Sequence, residues 1–306
     1  MNDPAIRVEG ISKSHGAAVA LSSVSFAVER GEMFGLIGPD GAGKTTLMRI
    51  LTSLIDADEG EAWVLGFPVR SGAARVREAI GYMPQHFSLY SDLTVAENIR
   101  FFADLFGVAK EARVARTEEL LDFSRLGPFV KRRAGALSGG MKQKLALSCA
   151  LVHTPRVLVL DEPTTGVDPV SRRDFWDMLE RLRAQGVTVV VSTPYMNEAS
   201  LCRHMVFIHK GRILASGTVG EITALFRGTV FSVEGPNLQA ISTRLKNAVE
   251  PELVRILGDA VQVLALGRSR EEVGALLETM RQGGVVSHSR EIPPGVEDTF
   301  VSLMRE

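Results

Sequence analysis

The sequence predicts an α/β fold in residues 1–226 and a small α+β domain in residues 227–306. Three runs of strand length are almost wholly apolar: residues 33–37, 157–160 and 187–191. Such runs are typical of parallel strands that are covered on both faces of a sheet. Amphipathic helical spacing follows the first run and lies between the other two. This alternation favours a parallel sheet with helices packed on both sides.

The remaining elements of the first domain are predicted from local signals, in chain order. Further strands are expected at 6–8, 24–28, 63–65, 205–208 and 212–215, with one more ending at 81–85. Helices are expected at 45–54, 111–126, 138–152, 170–184 and 218–226. Thr94 and Glu97 have the spacing of a capping box and begin another helix. The consecutive helices at about 92–152 interrupt the alternation, as an inserted helical subdomain does.

The predicted second domain has its own order of elements. Residues 230–233, 238–247, 253–257, 261–266, 271–282 and 285–288 read as strand, helix, strand, strand, helix, strand. That order matches the split βαβ layout, and a last helix is expected at 296–304. A chain of 306 residues exceeds the size that one core usually serves, which also favours two domains.

Composition excludes several classes of protein. The net charge is −1 and no dense Lys/Arg block occurs, which argues against nucleic-acid binding. The two cysteines, Cys149 and Cys202, are far apart and are expected to be reduced core thiols. The N-terminal residues are polar without a signal-like apolar core, and the longest apolar runs are far shorter than a membrane span. A cytosolic location is therefore expected, and any membrane-spanning part belongs to another chain.

The segment after the first apolar run fits the phosphate-binding pattern G-x-x-x-x-G-K-[ST]. Its nine residues are Gly38, Pro39, Asp40, Gly41, Ala42, Gly43, Lys44, Thr45 and Thr46. The glycines allow backbone N–H groups to face a polyphosphate, and the following helix start adds partial positive charge. Lys44 is expected to reach the β- and γ-phosphates, and the Thr45 hydroxyl to bind Mg²⁺. The alternative is a glycine-rich turn that only joins a strand to a helix.

Two acidic residues follow the second apolar run. Asp161 is expected at the C-terminal edge of the sheet, where ligands bind in open α/β folds. Its carboxylate could hold Mg²⁺ together with Thr45, and the adjacent Glu162 could polarise a water that attacks the γ-phosphate. Two buried carboxylates without a cation would be costly. The alternative is an Asp-Glu pair at a helix start.

A second anion site is predicted at Ser138, Gly139 and Gly140. A hydroxyl and two glycines open a helix there, by the same logic as the first loop. The alternative is a simple serine N-cap. Two phosphate-binding helix starts in one chain suggest that two copies, or two related chains, hold nucleotide between them.

These residues together resemble the ATP-binding subunit of ATP-binding cassette (ABC) transporters. The ordered motifs are the phosphate loop, Gln85, the segment 137–141, the segment 157–163 and the segment 166–169, and they lie within residues 1 to about 226. The resemblance implies a P-loop NTPase of ABC type, with a mixed sheet and an inserted helical subdomain. It also implies ATP and Mg²⁺ as ligands.

The resemblance implies roles for particular residues. Gln85 would join Thr45 and Asp161 at the metal and its water network and sense the membrane partner. Ser138, Gly139 and Gly140 would touch the γ-phosphate bound by the opposite subunit. Asp168 would cross the dimer interface. His15 stands where an aromatic residue usually stacks on adenine; an exposed loop histidine is the alternative.

Three positions depart from the family pattern. Asp40 replaces the more usual Asn, and Met141 replaces the more usual Gln; little effect is expected from either. Pro194 stands in place of the switch histidine that normally contacts the γ-phosphate. Proline has no side-chain donor and no backbone N–H, and loss of one transition-state donor commonly costs about 10²–10³ in rate. We therefore expect a weakened but active site, or one that works beside a more complete partner site.

The expected function is that of an ATPase subunit which energises a separate integral-membrane permease from the inner face of the cell membrane. The second ATP-binding subunit completes a homodimer or a heterodimer. The tail at 293–303 is similar to that of drug-exporter-type cassettes, which implies export of a drug-like or lipid compound. The small domain would tune dimerisation or permease coupling, or only cover apolar surface.

Other functions remain as alternatives. A regulatory cassette that dimerises but hydrolyses ATP poorly is favoured by Pro194. A soluble cassette that acts on ribosomes or DNA is disfavoured, because such proteins usually carry two cassettes or long insertions and this chain has neither. A generic P-loop kinase or GTPase is disfavoured by the glycine-rich helix start at Ser138.

Overall fold

The computed structural model describes residues 3–86 and 89–305, and the chain divides into two compact units between Thr218 and Val219. The described residues of the first unit form ten strands: β1 (Ile6–His15), β2 (Ala18–Val28), β3 (Met33–Ile37), β4 (Glu59–Val64), β5 (Phe67–Pro68), β6 (Ile80–Met83), β7 (Val157–Asp161), β8 (Thr188–Thr193), β9 (His204–His209) and β10 (Arg212–Gly217). Its helices are α1 (Lys44–Leu51), α2 (Ala73–Ala79), α3 (Val95–Leu105), α4 (Lys110–Ser124), α5 (Gly139–Leu151), α6 (Pro169–Ala184) and α7 (Met196–Ala199).

A six-stranded sheet forms the centre of the first unit, in the order β10-β9-β3-β8-β7-β6. The strands from β9 to β6 run parallel, and β10 is antiparallel to β9. Both faces are covered: Val157 and Val159 of β7 join a core with α1, while Leu158 and Leu160 join a core with α5 and α6. The parallel sheet that the apolar runs predict is confirmed. The C-terminal ends of β3, β7 and β8 therefore meet at one edge.

A second, antiparallel sheet in the order β2-β1-β4-β5 packs on the α1 side. Its strands β1 and β2 are much longer than the predicted 6–8 and 24–28 because they continue outward as a largely exposed hairpin, which apolar runs alone do not reveal. Helices α3, α4 and α5 pack together on the other side, at the expected place of the helical insertion. Thr94 and Glu97 make the predicted capping box at the start of α3.

The second unit holds α8 (Val219–Thr223) and an antiparallel sheet. Its strands are β11 (Thr229–Glu234), β12 (Val254–Leu257), β13 (Ala260–Ala265) and β14 (His288–Ile292), with helices α9 (Leu238–Ala248), α10 (Arg270–Gln282) and α11 (Val296–Leu303). The strand order β12-β13-β11-β14 is that of the split βαβ layout.

Two details of the second unit differ from the sequence prediction. The last strand begins at His288 and not at Val285, because the backbone N–H groups of Val285 and Val286 bond to the Met280 carbonyl and close the end of α10. The boundary lies at 218/219 and not at 226/227, because α8 packs against α11. Within residues 3–86 and 89–305, no helix combines the length and the apolar character that crossing a membrane requires.

Candidate nucleotide-binding site

The phosphate loop joins β3 to α1, as predicted, and its glycines allow close backbone contacts. A side chain at Gly38 would place Cβ 2.2 Å from the Ile208 carbonyl oxygen. Gly43 has φ of +106°, and a Cβ there would lie 2.4 Å from the Ala20 carbonyl oxygen. No side chain of the described residues caps α1 at Gly43. The first amides of α1 are therefore left for a ligand, which is the arrangement of an anion site.

Lys44 is buried at the start of α1 and contacts Glu162. The Lys44 Nζ lies 3.0 Å from Glu162 Oε1, and the two side chains are 3% and 5% exposed. Nζ also donates to the carbonyl oxygens of Gly38 at 2.8 Å and Pro39 at 3.0 Å. A buried ion pair is stabilising only when its remaining groups are well bonded. Here the loop carbonyls satisfy the ammonium group.

Glu162 is held in a strained backbone conformation. Its φ is +48°, in the left-handed region that costs a non-glycine residue about 1–2 kcal/mol. The Glu162 N–H donates to the carbonyl oxygen and the hydroxyl of Ser192, at 3.1 and 2.9 Å. Gln85 Nε2 donates to Glu162 Oε2 at 3.0 Å, and the Thr165 hydroxyl lies 3.3 Å from the same oxygen. Strain of this kind is common where a side chain must be aimed at a reacting group.

Asp161 ends β7 and is fully buried beside Thr45. Its Oδ1 accepts a hydrogen bond from the Ser192 hydroxyl at 2.6 Å, and the Thr45 hydroxyl also bonds to the carboxylate. Burial raises the pKa of Asp161, although both hydroxyls favour its ionised form. Its Oδ2 is buried without a hydrogen-bond partner among the described residues. A carboxylate with an unused buried oxygen next to a hydroxyl suits Mg²⁺, which prefers oxygen ligands.

The sequence predicts Gln85 beside the metal ligands. In the structure its side-chain amide donates a hydrogen bond to Glu162. This contact joins the end of β6 to the residue after β7. A cleft of about 370 Å³ continues from Gln85 to Gly139 and to the loop Thr165–Val167. Gln85, which bonds to the predicted base Glu162, thus lines the same cleft as the start of α5.

The start of α5 has two structural features. The Ser138 hydroxyl accepts from the Met141 N–H at 3.4 Å, a long N-cap bond, and both Ser138 and Gly139 are exposed. Gly140 is buried, and a Cβ there would lie 2.4 Å from the Ser171 side chain. Gly140 therefore allows α5 to approach α6, a packing reason that the sequence prediction did not include. Its predicted contact with a phosphate stays a prediction.

Asp168 begins α6 as its N-cap. Its Oδ1 accepts from the N–H groups of Val170 at 3.1 Å and Ser171 at 2.9 Å. These bonds, mainly those from Ser171, lower the pKa of Asp168. His15 is exposed beside the turn of the β1–β2 hairpin, and Ala20 of the same hairpin touches the phosphate loop at Gly43.

Pro194 follows β8 directly. The carbonyl oxygen of the preceding Thr193 accepts from the Gly38 N–H at 3.3 Å, so Pro194 lies one residue from a contact with the phosphate loop. Sequence reasoning missed Ser192, which bridges Asp161 and Glu162. A usable signal existed, since Ser192 lies one residue before the end of β8, which runs parallel to β7, and pairs with Asp161 in register.

Known proteins are similar to this chain in sequence and in fold. A family model described as "ABC transporter" matches residues 21–165. The probable multidrug ABC transporter ATP-binding protein YbhF of Escherichia coli is 45% identical over 310 residues, which cover 99% of this chain and 53% of that protein. This chain thus spans about half the length of that relative. The Nod factor export ATP-binding protein I of Rhizobium sp. is 36% identical, over 99% of this chain and 98% of its own.

Solved structures agree with the sequence comparison. An ATP-binding subunit of an ABC transporter has a TM-score of 0.65 and 30% identity, with 72% of this chain and 92% of that chain covered. A dimeric ATP-binding cassette in a post-hydrolysis state, bound to ADP and Pi, has a TM-score of 0.64 and 26% identity, with 70% and 98% covered. The predicted mixed α/β fold with a phosphate loop is confirmed.

Proposed function

This chain belongs to the ATP-binding subunits of ABC transporters, and we propose that it hydrolyses Mg·ATP to drive a separate integral-membrane permease. One observation supports this most strongly: the buried contact of Lys44 with Glu162, beside Asp161 and Thr45. It brings a phosphate-binding cation, a base and a carboxylate for metal binding to the edge where three strands end. Phosphoryl transfer depends on such positioned charges.

ATP binding exchanges the partners of Lys44. Phosphate oxygens take the place of Glu162 on Nζ, while the open amides of the loop and of α1 bind the phosphate chain. Glu162, released from Lys44 and still held by Gln85, then accepts a hydrogen bond from the attacking water. Asp161, Thr45 and Gln85 would hold Mg²⁺, which neutralises charge on the phosphates.

A second ATP-binding subunit, identical or related, completes the site. Ser138, Gly139 and Gly140 of one subunit contact the γ-phosphate held by the other, and Asp168 lies at the interface between them. His15 stacks on the adenine ring. The exposure of Ser138, Gly139 and His15 supports these roles, because each is open to a ligand or a second chain.

The cargo proposed is a drug-like or lipid compound that leaves the cell. Support comes from the tail at 293–303 and from two relatives whose names refer to multidrug transport and to Nod factor export. The subunit acts at the inner face of the cell membrane, through its permease and without nucleic acid. ATPase activity measured with and without membranes of the source cell tests this coupling.

Substitution Glu162→Gln tests the mechanism. The amide keeps the size of the side chain but removes the carboxylate, so hydrolysis should fall by at least about 10² while ATP still binds. ATP should then trap a closed dimer, detected by size-exclusion chromatography. Glu278→Gln, which alters an exposed pair with Arg281 in the second unit, is the matched control and should behave like the parent. Normal hydrolysis by Glu162→Gln would remove Glu162 from the mechanism.

Pro194 supports a second candidate function, an ATP-binding switch that pairs but hydrolyses slowly. Proline has neither a side-chain donor nor a backbone N–H with which to bond a phosphate. Pro194→His should therefore raise turnover, by up to about 10². Pro194→Ala restores a backbone N–H without the imidazole and should change turnover little. An unchanged or lower rate in Pro194→His would count against a missing donor at this position.

A further inference from the structure

Glu198 is a buried acid outside the predicted motifs, and it links two loops of the site. It lies in α7 and is 1% exposed. Its Oε1 accepts from the Thr164 hydroxyl at 2.7 Å, and its Oε2 accepts from the Thr193 hydroxyl at 2.5 Å. Each carboxylate oxygen is thus bonded to a different segment of the chain.

Both threonines adjoin groups that the proposed mechanism uses. Thr164 lies two residues after Glu162, and the neighbouring Thr165 hydroxyl reaches Glu162 Oε2. Thr193 ends β8, and its carbonyl oxygen accepts from the Gly38 N–H of the phosphate loop. Glu198 therefore connects the loop that carries Glu162 to the strand end that contacts the phosphate loop.

Arg172 closes this network from α6. Its Nε lies 3.6 Å from Glu198 Oε1, and its guanidinium stands 4.2 Å from the centre of the Tyr195 ring. The Tyr195 N–H in turn donates to the Thr193 hydroxyl at 3.0 Å. These contacts surround Pro194 on both sides. The segment at the position of the missing histidine is thus tied to α6 and to Glu198.

A buried carboxylate is a costly way to join two loops. Taking the charge out of water costs several kcal/mol, and an apolar contact of the same size is often at least as stabilising. Its two hydroxyl bonds, however, set a fixed geometry that an apolar contact does not. This favours a role in placing the loops over a role in stability alone.

We propose that Glu198 is a positioning residue for ATP hydrolysis: through Thr164 and Thr193 it fixes the loop of Glu162 relative to the phosphate loop. The inference rests on the proposed function. It requires that loss of the Glu198 carboxylate slow the hydrolytic step while ATP binding is kept, since Lys44 and the loop amides are unchanged. A misplacement of about 1 Å can cost about 10² in rate.

The experiment compares Glu198→Gln with Glu180→Gln in single-turnover hydrolysis, with the ATP dissociation constant and the binding stoichiometry measured on the same samples. Glu180 pairs with Arg183 at the exposed side of α6 and serves as the control. We expect about a tenfold or larger loss of rate in Glu198→Gln, with the dissociation constant within about twofold of the parent. Glu180→Gln should match the parent.

A second pair of variants separates positioning from folding. Thr164→Val removes the hydroxyl at nearly constant volume and should slow hydrolysis like Glu198→Gln, whereas Thr164→Ser keeps the hydroxyl and should retain most of the rate. The double variant Glu198→Gln/Thr164→Val should be no slower than the slower single variant, because Thr164→Val removes one of the two hydroxyl contacts that Glu198→Gln alters. If Glu198→Gln does not fold, the two Thr164 variants alone test whether the contact with Glu198 is needed for hydrolysis.

Four outcomes would overturn the inference. Parent-like hydrolysis in Glu198→Gln or in Thr164→Val would exclude the linkage. A rate that falls only in proportion to binding stoichiometry would indicate a role in folding alone. Multiplied losses in the double variant would show that Glu198 and Thr164 act independently. If the parent binds ATP but does not hydrolyse it, the proposed function fails and this inference with it. If the parent hydrolyses ATP and the Glu198 and Thr164 variants hydrolyse it equally fast, this inference alone fails.

Discussion

Helices α1 and α6 both follow strands of the central sheet, yet their first turns are completed in opposite ways. α1 begins after Gly43, and no described side chain caps it. α6 begins after Asp168, whose carboxylate accepts from the amides of Val170 and Ser171. A helix start that satisfies its own amides has little left for an anion, whereas an uncapped start can bind one. The difference supports the proposal that α1 is the phosphate-binding helix of this chain.

The start of α5 lies between these two extremes. Ser138 caps it, but the bond from the Met141 N–H is long, at 3.4 Å, and the hydroxyl is exposed. A weak cap is easily exchanged for another acceptor. The comparison therefore predicts three graded responses to substitution: at α1 the loss of nucleotide binding, at α5 the loss of pairing, and at α6 mainly a change in stability.

The largest effect is expected from Lys44→Ala at α1. Loss of the ammonium group should weaken ATP binding by about 10² or more, because a charge-assisted contact to phosphate disappears. It also leaves Glu162 buried without its cation, which should lower the thermal midpoint. The double variant Lys44→Ala/Glu162→Gln should recover part of that midpoint without recovering binding.

Calorimetric titration with ATP and a thermal melt without it measure both effects. Lys131→Ala, on the exposed surface of the same unit, is the control and should leave both unchanged. ATP affinity retained in Lys44→Ala would contradict the assignment of α1 as the phosphate-binding helix.

A smaller effect is expected from Ser138→Ala at α5. ATP binding by the single chain should stay within about twofold of the parent, while ATP-dependent dimerisation of Glu162→Gln should weaken by about tenfold when Ser138→Ala is added. Loss of the cap alone would cost about 0.5–2 kcal/mol of stability. Analytical ultracentrifugation with ATP distinguishes the two. Dimerisation that is unchanged, together with a lower thermal midpoint, would leave Ser138 as a helix cap only.

The phosphate loop and the two acidic residues could be predicted because their signals are local. A glycine pattern between a buried run and a helix specifies backbone geometry, and an acid directly after a buried strand specifies its place at a sheet edge. The contacts of Lys44 and Gln85 with Glu162 follow once β3, β6 and β7 are neighbours or near neighbours in one parallel sheet.

The residues that the sequence could not assign depend on tertiary packing. Glu198 lies in a helix of only four residues, and nothing in its local pattern distinguishes a buried acid from an exposed one. Gly140 has a packing role because α6 approaches α5 at Ser171, which requires the relative placement of two helices. Strand β14 was predicted too early because Val285 and Val286 look like a strand but close the end of α10.

The smallest effect is expected from Asp168→Asn at α6. Asparagine caps a helix about as well as aspartate, so the Oδ1 bonds remain and only the charge is lost. In the parent the hydrogen bonds from Ser171 lower the pKa of Asp168 below its ordinary value. The stability that the ionised group contributes is therefore present above about pH 4 and is lost as the pH falls through the folded-state pKa.

The thermal midpoint of the parent should thus exceed that of Asp168→Asn slightly at pH 7, and the difference should shrink as the pH is lowered from about 5 towards 3. All other acids titrate in both proteins, so they cancel in the difference. ATP binding should be the same in both. A difference that grows at low pH would contradict a lowered pKa, and a loss of ATP-dependent pairing as large as that of Ser138→Ala would show that α6 acts across the subunit interface as strongly as α5 does.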